Sequence, residues 1–254
     1  MTEGNLQLLD VIIMDLPRRR FCLSASALLL TACGGGGSSD PTPPASQAAV
    51  EPLARYKLTV RNAWTAANFP TQFPSTAHLT RFVGATHSEA ITFWANGLAA
   101  TLGVKNVAER GRIDEMAAEV MAAISAGTAM TLLGADAIPL GGTESSLEFT
   151  LSQTHSKVSL LSMLGPSPDW FTGISGLALF ENGAWKQSVT MPLRVYDSGT
   201  DDGLSFRSPD AASAPPQSVQ TLSTAAADSD FLNGVHRISS AAIASVLVER
   251  LTLA

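Results

Sequence analysis

Cysteine is almost absent: of 254 residues only Cys22 and Cys33 carry a thiol, and both lie near the N-terminus. The rest of the chain therefore has no disulfide, no thiolate metal site and no thiol nucleophile, and its stability must come from a core and any bound ion. Charge is scarce as well. Charged residues make up 15%, the net charge is −6, and no Lys/Arg cluster lies beyond residue 20, so the basic footprint of a nucleic-acid binder is missing. The histidines His78, His87, His155 and His236 show no HExxH or comparable spacing, which argues against zinc chemistry, and there is no P-loop, GxGxxG or GxSxG. His87 and His155 each precede a serine, Ser88 and Ser156, the minimum for a hydrolase. Without a nucleophile elbow or oxyanion loop that enzymatic reading stands behind a non-catalytic one. What is plentiful is apolar and small: 45% hydrophobic residues suffice for the core of one large domain, with an Ala-, Ser- and Thr-rich surface suited to a place outside the cytoplasm.

From Met14 the chain reads MDLPRRRFCLSASALLLTAC, with Arg18, Arg19 and Arg20 ahead of a short apolar run and small residues at its end. Those are the three parts of a secretory signal, and the run is too short to span a bilayer stably. Residues 1–32 are therefore expected to be a signal peptide, with the true start at Met14 because Glu3 and Asp10 sit oddly ahead of a basic region. Leu30-Thr31-Ala32-Cys33 resembles the bacterial lipobox, which implies a signal of lipoprotein type, lipidation of Cys33 and a membrane anchor through lipid alone. Gly34 after the cysteine implies passage to the outer membrane of a Gram-negative envelope. Residues 33–52, rich in Gly, Ser and Pro, read as a flexible tether, which disfavours the alternative of a buried helix over 15–32. The domain is expected over 53–254.

Within it, Tyr56, Leu58 and Val60 alternate with Lys57, Thr59 and Arg61, the period of a half-buried strand over 54–64. A second strand is expected near 78–84, then a short helix entered through Ser88 as N-cap and carrying Ile91, Phe93 and Trp94. Val107, Ile113, Met116, Val120 and Ile124 recur at helical spacing, broken at Gly111, and predict two helical stretches between 104 and 125. Strands follow over 146–153, 157–164, 175–181 and 188–196, with Asn182-Gly183 as a hairpin turn, and a closing strand lies within 238–253. Residues 208–230 read as a long surface connection. Short strands about ten residues apart favour an antiparallel sandwich.

GPSPDWF (165–171) and DSGTDDG (197–203) place Asp169, Asp197 and Asp201 on loops at strand ends. Crowded carboxylates without a basic partner are tolerable when exposed or when bridged by a hard cation that prefers oxygen. The alternative is that they cap their own turns. Trp170 and Phe171 read as core.

HLTRFVGATHSEAITFW (78–94), GVKNVAERG (103–111), HSKVSLLSMLGPSPDWFTGISGLALFENGAW (155–185) and VYDSGTDDGLSFRSPD (195–210) together resemble the spondin N-terminal domain, in order and over most of 54–254. The resemblance implies a mainly β, C2-like antiparallel sandwich with a few helices on one side, and loops that hold Ca2+ through Asp169, Asp197 and Asp201. Counting back from SPDWF, it also places Glu148 where a relative has been linked to an adhesion-type metal site. The cysteines that vertebrate members carry near 179–185 are absent. The function implied is a non-enzymatic, calcium-binding module of the cell envelope, expected as a monomer, that adheres to a surface, matrix or glycan ligand. A purely structural envelope lipoprotein with a degenerate metal site is the alternative.

Overall fold

The computed structural model describes residues 51–70, 72–222 and 242–252. The signal segment, Cys33 and nearly all of the tether therefore lie outside the described residues, as does the stretch 223–241. Residues 48–254 form one contact unit, and all that follows concerns it.

The alternating segment forms strand β1 (Leu53–Asn62), with Tyr56, Leu58 and Val60 fully buried. The expected second strand divides into β2 (His78–Leu79) and β3 (Phe82–His87). Helix α1 (Leu102–Arg110) is capped by the Thr101 hydroxyl, which accepts from the Val104 N–H, and ends at Gly111 in the left-handed conformation, φ 62°. Helix α2 (Asp114–Ser125) follows, with Asp114 and Glu115 in its first turn, where a helix favours negative charge. Strands β4 (Ala129–Ala135), β5 (Glu144–Ser152), β6 (Lys157–Gly165) and β7 (Trp170–Ala178) come next. The hairpin β8 (Phe180–Glu181) and β9 (Ala184–Trp185) turns through Asn182 and Gly183, both at positive φ, as a type I′ turn requires. Strands β10 (Ser188–Leu193), β11 (Val195–Asp197), β12 (Gln220–Thr221) and the closing β13 (Ala244–Leu251) complete the order.

Two antiparallel sheets face each other. One has the order β10-β13-β1-β5; the other runs β12-β11-β7-β6-β3-β4, with β2 beside β6. Tyr56, Leu58, Val246 and Leu151 from the first sheet and Leu160, Leu164, Trp170 and Ile174 from the second fill the core between them. The outer face of the second sheet is also covered. Val83, Leu161 and Phe171 pack there with Val104, Val107, Met116 and Val120 of the helices. The expected sandwich with helices on one side is what the chain adopts, and β6, with eight of nine residues buried, is covered on both faces. That position explains its nearly unbroken apolar run, VSLLSML.

Three expectations need correction. No helix follows Ser88: the His87 Nδ1 donates to the Ser88 carbonyl, which the first helical turn would have needed, while the Ser88 hydroxyl donates to the Thr128 carbonyl. The strand expected over 175–181 begins at Trp170, because Trp170 and Phe171 alternate into the two different cores. The strand expected over 188–196 is two strands in two sheets, and the chain crosses at Arg194, whose carbonyl accepts from the Thr172 hydroxyl at 2.7 Å. Strand β4 was not anticipated, its Ala- and Gly-containing sequence having little β preference of its own.

His87 is 1% exposed, and burial favours its neutral form. A carbonyl only accepts, so Nδ1 carries the proton, and Nε2 accepts from the Ser159 hydroxyl at 2.9 Å. Burial holds its pKa below the ordinary value. The native state thus binds the proton less readily than the unfolded chain, so the stabilisation is complete above the unfolded pKa, about 6.5, and is lost as pH falls through the depressed native value. Asp197, whose pKa is pushed up to about 7, contributes a slope of the opposite sign over the same range, so the His87 term is expected as the difference in thermal unfolding between the parent and His87→Gln from pH 7.5 to 5. An identical slope in the variant would refute it.

Candidate metal centre

Asp169 ends the turn between β6 and β7, and Asp197 is the last residue of β11. The register pairs Trp170 with Asp197, so the two loops leave neighbouring strands side by side, and the Ser198 N–H donates to the Asp169 carbonyl at 3.1 Å. Sheet pairing is therefore what brings together segments 28 residues apart (197 − 169).

Asp169 is fully buried. Its Oδ2 accepts from the Ser198 hydroxyl (2.9 Å), the Thr200 N–H (2.8 Å) and the Asp201 N–H (3.1 Å). One carboxylate oxygen thus organises the whole Ser-Gly-Thr-Asp turn. Gly199 is needed within it: φ is 73°, and a Cβ there would lie 2.5 Å from the Gln217 carbonyl oxygen. Ser198 and Thr200, buried at 0% and 4%, are site residues that the sequence reading overlooked. Hydroxyls between closely spaced aspartates were the signal available.

Asp197 and Asp201 behave partly as turn formers. Asp197 Oδ1 accepts from the Gly199 N–H at 2.6 Å, and Asp201 Oδ1 from the Gly203 N–H at 2.8 Å. Asp201 Oδ2 takes the Ala211 N–H at 2.7 Å, so both its oxygens are engaged. Asp169 Oδ1, by contrast, is buried and has no hydrogen-bond partner. Burial, opposed by its hydrogen bonds, raises the proton affinity of Asp169. Burial and then the neighbouring Asp169 charge push the Asp197 pKa up to about 7. A bound proton or a cation would relieve this crowding.

Among the described residues no group of three or more His, Cys, Asp or Glu side chains is assembled to hold a metal ion as it stands. The donor chemistry nevertheless suits a hard cation, since Asp169 Oδ1 and the Asp197 carboxylate are oxygen donors whose charges lack a basic partner. A groove of about 340 Å³ is lined in part by Asp197, Asp201, Asp202 and Gln217, while Asp169 is fully buried.

Glu148 stands apart from this cluster. It pairs with Lys57 across β1 and β5, on the outward face of the other sheet, and its carboxylate meets the Arg55 guanidinium at 3.0 Å. Nor are the histidine–serine neighbours arranged as nucleophile and base: the His155 ring binds the Ser152 and Thr154 hydroxyls and the Gly127 carbonyl. Trp170 and Phe171, both 0% exposed, are core.

The family model described as Spondin_N matches residues 54–239. The chain is similar to Spondin-2 of Rattus norvegicus, 35% identical over 181 residues, which are 70% of this chain and 55% of that protein. It is similar also to Spondin-2 of Homo sapiens, 32% identical over 68% of this chain and 53% of that protein. Spondin-1 of Gallus gallus is 33% identical over 67% of this chain and 22% of its own length. The chain thus spans about half the length of the Spondin-2 relatives and about a fifth of that of Spondin-1. No helix among the described residues is long and apolar enough to cross a membrane.

Proposed function

The chain belongs to the Spondin_N family, and from that premise we propose that it is a non-catalytic, calcium-binding module that works outside the cytoplasm in adhesion to a surface, matrix or glycan ligand. The N-terminal sequence supports display on a bacterial envelope through a lipid on Cys33. The observation that carries the calcium reading is the unpartnered, buried Oδ1 of Asp169 beside the Asp197 carboxylate. Asp169 and Asp197 would hold the ion, with Asp201 fixing the loop that closes around them. The ion would neutralise the crowded carboxylates and lock the two loops into one rigid end of the sandwich; it is a structural role.

Calcium at a hundred times its dissociation constant is expected to stabilise the fold by about 2.7 kcal/mol. Chelator should therefore lower the melting temperature of residues 53–254, and Asp197→Ala should abolish the difference. Melting curves that coincide with and without calcium would sink the reading. A second reading, a structural lipoprotein with an empty site, is favoured by the turn-capping bonds of Asp197 and Asp201. Calorimetric titration separates the two, because an empty site gives no calcium heat.

A further inference from the structure

A second recess, of about 270 Å³, lies apart from the aspartate groove and is lined by Gln72, Phe73, Ser205, Phe206 and Arg207. Its base is aromatic and firmly supported. Phe206, 6% exposed, packs against Trp64 at 5.7 Å and Trp170 at 5.2 Å, and the Phe73 ring meets Trp64 edge-on at 5.7 Å. The rim is polar, with an amide, a hydroxyl and a guanidinium.

The loop that supplies Ser205, Phe206 and Arg207 is braced at both ends. Asp201 accepts from the Gly203 and Ala211 N–H groups, and the Ser208 hydroxyl oxygen accepts from the Leu204 and Ser205 N–H groups. The recess is thus formed before any ligand arrives, which spares the cost of ordering it. Gln72, which also lines the recess, has φ 54°, a left-handed conformation uncommon for a residue with a side chain and one that recurs at ligand-binding sites.

Charge decides what fits. Arg207 is exposed and makes no ion pair among the described residues. The acidic side chains of its own loop line other recesses: Asp201 and Asp202 face the groove beside Asp197, and Asp210 lines a third recess with Lys105 and Arg110. The lining here therefore offers a cation and no carboxylate. Its volume of about 270 Å³ falls just below the range for whole small-molecule pockets, roughly 300–1,000 Å³, and suits a single side chain with its head group.

We propose that this recess binds the free C-terminal carboxylate of a peptide ending in an aromatic or branched apolar residue. The terminal side chain rests on Phe73 and Phe206, the carboxylate meets the Arg207 guanidinium, and the Gln72 amide donates to the carboxylate or the last peptide carbonyl. A planar guanidinium is the group best matched to a carboxylate, through two parallel N–H donors.

The test is NMR titration of isotope-labelled 53–254 with N-acetyl-L-phenylalanine and, separately, with its primary amide. The acid is expected to give saturable shifts at the Gln72 side-chain amide and the Phe206 and Arg207 backbone, with affinity roughly tenfold above that of the amide, the scale of a lost charged hydrogen bond. Arg207→Gln, a change at an exposed position, should bring the acid down to the level of the amide. Equal affinity for acid and amide, an unchanged Arg207→Gln protein, shifts that map elsewhere, or no saturation would each overturn the proposal. Titrations in calcium and in chelator keep it distinct from the calcium reading: saturation in either buffer supports the recess whatever the calcium heat, and failure in both rejects the recess alone.

Discussion

Asp169→Ala is expected to unfold the domain or to lower its stability by several kcal/mol. The Asp169 Oδ2 satisfies the N–H groups of Thr200 and Asp201 and the Ser198 hydroxyl in a place closed to water. The Ser198 hydroxyl can turn to Thr200 Oγ1 at 2.7 Å, but the two N–H groups lose their acceptor, and at about 1–3 kcal/mol for each buried donor the loss is a large share of the 5–15 kcal/mol that holds a typical domain together. Asp169→Asn separates this scaffolding role from charge. The amide oxygen can replace Oδ2, while the amide nitrogen faces Asp197 with a donor in place of a second negative charge. That variant should lie within about 1 kcal/mol of the parent in chelator, the ordinary scale of a tolerated substitution, and lose its response to calcium. Urea unfolding in chelator and in calcium reads both effects. An alanine variant as stable as the parent would show that the turn is held by other contacts.

Adding a side chain at Gly84 or Gly173 should be as damaging, by another route. A Cβ on Gly84 would fall 1.9 Å from the Ser159 carbonyl oxygen, and one on Gly173 would fall 2.0 Å from that of Leu160. The two glycines flank β6 from β3 and β7, so neither clash can be relieved without moving the strand that both cores share. Strand β7 also carries one extra residue next to Gly173: Val158–Leu160 of β6 faces Ile174–Leu177, and Gly176 takes φ 63° in the bulge. Overpacking a core commonly costs 1–3 kcal/mol when side chains can adjust, and a backbone clash should exceed that range. Gly84→Val and Gly173→Val are therefore expected to give insoluble or unfolded protein. Gly127→Ala is the control, since its Cβ would meet nothing within 4 Å and only the positive φ opposes it, a cost of about 1 kcal/mol. Soluble yield and thermal unfolding of the three variants test the contrast, and a folded Gly173→Val protein would contradict the close approach.

Much of the fold was legible because it follows local rules. The alternation in β1, the Asn182-Gly183 turn and the break at Gly111 each express a backbone preference that few residues decide. The segment after Ser88 was misread because its serine met a hydrogen-bond competitor from outside the segment, the Thr128 carbonyl, while the preceding histidine claimed the carbonyl that a helix needs. Strand β4 was invisible because an edge position beside β3, not its own composition, makes it a strand. Likewise the aspartates could be named from motif and resemblance, yet their inequality could not. Only packing distinguishes the fully buried hub Asp169 from Asp197 and Asp201, which also serve their own turns.

By itself the sequence determined the family, the predominance of β-structure, the absence of thiol chemistry from the domain and the presence of two aspartate-bearing loops, because composition, period and motif are carried by neighbours in the chain. The tertiary structure decided which of those residues meet. The Trp170–Asp197 pairing joins the two aspartate loops, whereas the Lys57–Glu148 pairing turns Glu148 outward on the other sheet. Register is the physical reason. It is set by long-range hydrogen bonding and by which face must be buried, and a shift of one residue would send every side chain of a strand to the opposite face.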